Sequence, residues 1–140
     1  MNSQEMRQGR VMLKSSVLPD TCAWIDFFRG VDTPLSKRLE EALLAGSVVT
    51  CGVVQYELLQ GIRKTGEEKL ILSAFQAVPF LEMSQSLWRE AGRLAAQLRS
   101  KGHTLPLSDI MIATLAKKHT AAILTVDKHF DLIPSLKVLR

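Results

Sequence analysis

The chain is predicted to adopt a three-layer α/β fold in which parallel strands are covered by helices on both faces, and three observations predict it. Apolar runs of four to six residues recur along the chain. The stretches between them carry apolar residues at helical spacing, the pattern of strands buried on both faces. Four acidic residues stand where such a fold gathers side chains: Asp20 ends VLPD, Glu57 lies in VVQYELLQG, Asp109 opens DIMIATLAKK and Asp127 ends AAILTVD.

In chain order, residues 1–14 (MNSQEMRQGRVMLK) are polar and aperiodic and read as an N-terminal extension ahead of a single domain over 15–140. Strands are expected at Ser16–Pro19, Ser47–Thr50, Ala77–Leu81, Ala121–Val126 and Leu136–Leu139. Helices are expected at about 21–29, 34–45, 52–64, 67–76, 84–101 and 108–118, from their apolar period. Ser84 and Ser108 suit N-caps, and Gly46 and Gly102 suit the position just past a helix end. Pro19 lacks the N–H a central strand donates, so the first strand is expected to end at Leu18.

With 140 residues there is room for one domain and no second. A hydrophobic content of 46% against 23% charged residues belongs to a compact globular chain rather than a disordered one. No apolar stretch approaches the roughly 20 residues that span a bilayer, and the N-terminus lacks the apolar core of a secretory signal, so a cytoplasmic location with no membrane is expected. Cys22 and Cys51 make no disulfide framework and read as small core hydrophobes. Trp24 and Trp88 read as core residues too.

Charge adds a functional hint. The chain has 18 Lys and Arg against 14 Asp and Glu. If four acids share one site, the remaining surface is strongly basic, which suits a polyanion approaching a metal.

The acids can be placed. In parallel sheets, ligands sit beyond the carboxyl ends of the strands, where Asp20 and Asp127 fall. A helical wheel puts Glu57 between Val53 and Gly61, on the apolar side, where an unneutralised carboxylate is costly. Asp109 opens a helix that is apolar almost all round, with small Ala113 and Ala116 one turn on leaving space beside it. Each acid has a plainer explanation alone: a boundary glutamate, a helix cap or a charge favoured by the helix dipole. The set of four is what carries weight.

Two carboxylates about 6 Å apart repel by roughly 3 kcal/mol at an effective dielectric near 20, so four together call for a cation. No CxxC spacing involves Cys22 or Cys51, and His103, His119 and His129 form no HxxxH pair. Hard, oxygen-ligated Mg²⁺ or Mn²⁺ is therefore expected rather than zinc. Such a site can activate water for phosphodiester hydrolysis without a covalent intermediate. His129, two residues past Asp127, reads as a packing or phosphate-contact residue. Arg29, Arg63, Lys64, Lys117, Lys118 and Lys128 are candidate phosphate contacts.

DTCAWIDFFRG, YELLQG, PLSDIMIATLAKKH and ILTVDKHFDLI, in this order, resemble the four acidic motifs of the PIN-domain nuclease family, and within it the VapC-type toxins of toxin–antitoxin pairs. The resemblance covers the chain from about residue 16 onward. It implies a mainly parallel five-stranded α/β/α domain and a Mg²⁺-dependent endoribonuclease, with Mn²⁺ a possible substitute. Asp20 and Asp109 would be metal ligands, with Glu57 and Asp127 completing the catalytic set as ligands, water-orienting groups or neighbours of the ligands. Thr125 matches a small hydroxyl residue ahead of the fourth acid. The partners it implies are RNA, a cognate antitoxin covering the acidic groove, and a second copy in a homodimer, for which apolar residues such as Leu59, Ile62, Leu70 and Leu72 could supply surface. Cys22 departs from the serine or threonine frequent at its position. Two other classes compete: a catalytically silent RNA-binding or regulatory PIN-like module, and a phosphoacceptor receiver domain, which expects paired acids after its first strand and a lysine after its last.

Overall fold

The computed structural model describes residues 15–140; the 1–14 extension read from the sequence lies outside the described residues. Among the described residues there are five strands, β1 Ser16–Pro19, β2 Thr50–Cys51, β3 Phe80–Leu81, β4 Ala121–Leu124 and β5 Val138–Leu139, and six α-helices, two after each of the first three strands. The helices are α1 Thr21–Arg29, α2 Pro34–Leu44, α3 Gly52–Gln60, α4 Glu67–Gln76, α5 Gln85–Ser100 and α6 Leu107–Lys118.

All strand pairings are parallel, as expected, but the sheet is less continuous than five full strands would make it. One ladder runs β1-β4-β5 and a second joins β2 to β3. A single bridge, Val17 to Val48, links the two in the order β3-β2-β1-β4-β5. Proline explains the break. Val17 donates to the Ser47 carbonyl and accepts from Val49 N–H. In a parallel ladder the next donor on that side is two residues on, at Pro19, which has no N–H to give. On its other side Pro19 stays in register with Leu124, and Asp20 N–H donates to the Leu124 carbonyl at 2.9 Å. The strand thus runs one residue past Leu18, and the proline ends pairing only toward β2.

Helix ends follow local chemistry. Thr33 and Ser36 exchange side-chain and backbone hydrogen bonds in a capping box at α2. Ser84 caps α5 through Leu87 N–H, as the sequence indicates. Ser108 does not cap α6. Pro106 occupies that position with φ −58°, a value its ring imposes, and the helix starts at Leu107. Helix α3 stops at Gln60, short of the expected residue 64, where Gly61 accepts the end of the helix. Gly46 and Gly102 follow their helices with φ of 69° and 88°.

The core lies between the sheet and both helix layers. Trp24 is wholly buried, stacked on Phe28 at 5.6 Å and edge-on to Phe75 at 4.9 Å. Trp88, expected in the core, is exposed on α5, because that helix turns Leu87, Ala91, Leu94 and Leu98 inward and Trp88 falls outside their stripe. Ala113 and Ala116 are also wholly buried. Their small size lets α6 pack closely in the core rather than opening space at the site. Ile123, in β4 between β1 and β5, is fully buried. Ile123→Ala should lower unfolding free energy by about 2–5 kcal/mol in urea titration at unchanged denaturant slope.

Candidate functional site

Four elements deliver the four acids to the carboxyl edge of the sheet. Asp20 leaves β1 and serves as N-cap of α1, so its backbone turns sharply while its side chain stays inside, 9% exposed. One carboxylate oxygen accepts from Thr21 N–H at 2.8 Å and the other from the Thr125 hydroxyl at 2.9 Å. A carboxylate has about four acceptor sites, so each oxygen keeps a lone pair free. Thr125, fully buried just past β4, also accepts from Asp127 N–H at 2.9 Å. Its hydroxyl therefore fixes Asp20 and the Asp127 backbone at once. Cys22 Sγ lies 3.7 Å from the same oxygen, so this half-buried cysteine borders the site instead of serving only as core filler.

Glu57 on α3 is half-buried rather than enclosed, and its Oε1 accepts from the Thr21 hydroxyl at 3.0 Å. Asp109, in the first turn of α6, is 7% exposed. Asp127 caps a 3₁₀ turn, Lys128–Leu132, by accepting from His129 N–H at 2.9 Å. That turn swings the His129 ring back over the acids. Its Nδ1 lies 2.9 Å from Asp109 Oδ2 and 3.3 Å from Asp127 Oδ1. The site thus has two halves, Asp20 with Glu57 bridged by Thr21 and Asp109 with Asp127 bridged by His129, joined through Thr125.

All four predicted acids converge. The residue that the sequence reading does not bring to the acids is His129, which as a lone histidine without a placed partner reads as a packing or phosphate contact. Its partners come from α6 and from two residues upstream, and the Asp-Lys-His spacing was the only local signal.

Burial pushes the Asp20 carboxyl above the ordinary carboxylate range, against the hydrogen bonds from Thr21 and Thr125, and the negative charges of Glu57 and Asp127 push it further. Asp109 is raised for the same first reason, with Asp127 and Asp20 adding to it and His129 opposing. His129 is raised by its hydrogen bond to Asp109 and by Asp127. Oxygen donors crowded until two of them resist ionisation fit a divalent cation.

Beside Glu57 a groove of about 430 Å³ opens between α1, α3 and α4. Ile25, Phe28, Leu58 and Ile71 line it, with Arg29, Arg63 and Lys64 also on its walls.

A parallel sheet with this acidic edge defines a class, and residues 17–136 match the PIN domain family, to which the chain belongs. Similar proteins include ones named as VapC ribonucleases. Ribonuclease VapC19 of Mycobacterium tuberculosis is 30% identical over 122 residues, covering 86% of this chain and 96% of that protein. VapC ribonuclease Mb1587 of Mycobacterium bovis is 26% identical over 128 residues, covering 89% and 96%. Among solved structures, the fold is that of the DNA-bound VapBC of Salmonella typhimurium, with a TM-score of 0.73, 18% identity and coverage of 90% of this chain and 98% of that one. VapBC2 of Rickettsia felis, bound to a promoter DNA fragment, gives a TM-score of 0.71 at 20% identity, covering 88% and 96%.

The raised carboxyls set a pH response. A group with a raised folded pKa contributes stability at acid pH that is lost as pH rises through that pKa, because the folded state holds the proton longer. Metal-free protein should thus lose stability from about pH 4 toward neutrality. Asp20→Asn removes one such group, so its melting temperature should gain on the parent's as pH rises. A difference flat across this range would mean that Asp20 is not desolvated as described. Thr125→Val, which leaves Asp20 and Asp127 N–H each one partner short, should cost about 1–3 kcal/mol by chemical denaturation.

Proposed function

We propose that the protein is a Mg²⁺-dependent endoribonuclease, the toxin of a toxin–antitoxin pair, hydrolysing RNA phosphodiesters with activated water. The observation that carries this reading is the convergence of Asp20, Glu57, Asp109 and Asp127 on one sheet edge in a PIN-family chain. Asp20 and Asp109, the two most buried acids, are the ones to hold the ion. A bound Mg²⁺, or Mn²⁺ in its place, would neutralise the crowded carboxylates, polarise the phosphate and lower the pKa of water.

The remaining roles belong to the chain itself. Glu57, reachable from solvent and steadied by Thr21, orients the attacking water and takes its proton. Asp127, held by the 3₁₀ turn, shares in positioning that water. Attack at phosphorus breaks one P–O ester bond, and the proton ends on the leaving oxygen. The formal charge of +4 steers RNA toward the site, with exposed Arg29, Arg63, Lys64, Lys117, Lys118 and Lys128 available to the backbone.

The groove beside Glu57 supports an antitoxin segment as partner, since an apolar floor with basic walls suits a peptide that occludes the acids. Leu70 and Leu72, 54% and 42% exposed on α4, support a homodimer. A cytoplasmic site of action fits the RNA substrate, and no described helix is long and apolar enough to cross a membrane.

Purified protein incubated with total cellular RNA should give discrete cuts with Mg²⁺ and none with EDTA. Asp109→Asn, which keeps the side-chain shape, should reduce cleavage by about 100-fold or more with a normal circular dichroism spectrum. Undiminished cutting by Asp109→Asn and by Asp20→Asn would refute the proposal, and metal-free RNA binding without turnover would favour a silent module instead.

A further inference from the structure

We propose that His129 is a nitrogen ligand of the cation, so that the site contains an Asp109–Asp127–His129 face and favours Mn²⁺ relative to Mg²⁺ more than carboxylates alone would. This rests on the metal-site reading above and adds to its Asp20 and Asp109 ligands the Asp127 carboxylate and a nitrogen donor that the four-acid pattern does not contain.

Geometry is the first argument. Two ligands at neighbouring corners of an octahedron with bonds of about 2.1 Å stand about 3.0 Å apart. His129 Nδ1 is 2.9 Å from Asp109 Oδ2 and 3.3 Å from Asp127 Oδ1. One donor atom from each of the three residues fits within a set no wider than 4.8 Å. Opposite corners of the same octahedron stand about 4.2 Å apart, so the two contacts to His129 match neighbouring corners and the set closes on one ion once the Asp109 and Asp127 oxygens draw within that span.

The second argument is how the ring is held. Asp127 accepts from the His129 backbone N–H, and Phe130, next in the chain, is fully buried. The backbone around the imidazole is thereby anchored on one side by a carboxylate and on the other by the core. The side chain itself is 53% exposed and makes no described contact except to these two acids. Its Nδ1 shares a hydrogen bond with Asp109, and a cation bound there would take the place of that proton.

The chemistry follows from donor type. Carboxylates alone suit Mg²⁺ and Mn²⁺ alike, whereas an imidazole nitrogen suits borderline ions such as Fe²⁺, Co²⁺ and Ni²⁺, and Mn²⁺, at the low end of that series, still accepts nitrogen more readily than Mg²⁺ does. With two carboxylates and one imidazole the site should discriminate between Mn²⁺ and Mg²⁺ more than an all-oxygen site does.

The test is direct binding to the full chain, without RNA. Mn²⁺ bound to the parent protein should show electron spin-echo modulation from a coupled ¹⁴N nucleus. That signal should vanish in His129→Ala. By calorimetry the same substitution should weaken Mn²⁺ roughly 10- to 100-fold while changing Mg²⁺ by no more than about 3-fold. Mn²⁺ bound without nitrogen coupling, at a Mn²⁺/Mg²⁺ ratio equal in parent and variant, would overturn this inference and leave the four-carboxylate site standing. No binding of either ion to the parent would overturn both. The spectroscopic arm needs only the parent protein, so a misfolded variant would not obscure the answer.

Discussion

Carboxylates that lie out of water beside one another are the constraint on which the rest of this structure turns. Each would be cheap at the surface. Asp20 and Asp109 are instead nearly enclosed, and the fold answers with donors aimed at them: Thr21 and Thr125 at Asp20, His129 at Asp109. These contacts offset part of the desolvation but leave both acids reluctant to ionise. An unpaired cluster of this kind is a poor way to stabilise a domain and a good way to hold a cation. In the proposed function the basic remainder of the chain works with it, since a net positive chain draws a polyanion in while leaving the negative cup to a metal.

The sheet is shaped around the same demand. Pro19 stands just before Asp20, ends pairing toward β2 and leaves the chain free to turn into α1 with the carboxylate kept inside. On the opposite strand, Thr125 continues β4 by one residue and supplies the hydroxyl that Asp20 needs. The short strands β2 and β3 carry less of the architecture, and Cys51, at the end of β2, leads directly into the helix that presents Glu57.

The helices are legible because apolar residues recur in them at helical spacing, and the acids because Asp20, Asp109 and Asp127 close or open apolar runs while Glu57 stands on the apolar side of its helix. The sequence was poorer where one residue's fate depends on a distant segment. Pairing of the β2 segment toward β1 stops at a neighbour's proline, which no property of residues 47–50 reveals, whereas β3 starts only after its own Pro79, which has no N–H for a ladder. Ser108 has the composition of a cap, yet Pro106 fixes the backbone first. Trp88 has the composition of a core residue but misses its helix's inward stripe by one position. His129 is the main omission at the site. Its ring reaches Asp109 only because a 3₁₀ turn and the docking of α6 bring the two together, and neither is written in the local pattern.

The pairing of β1 with β4 has a consequence for the order of events in the life of the chain. Thr125 and Asp20 share a hydrogen bond across 105 residues of sequence, and Ser16 lies in register with Ala121. Contacts of such long range in a parallel sheet form late, since the entropy of closing so large a loop must be overcome before they return any stability. Helices α2 to α5 can take shape while the acids are still far apart. Catalytic competence is therefore a property of the finished fold and of no partly folded intermediate. A newly made molecule passes through a harmless interval, set by topology alone, before its acids assemble.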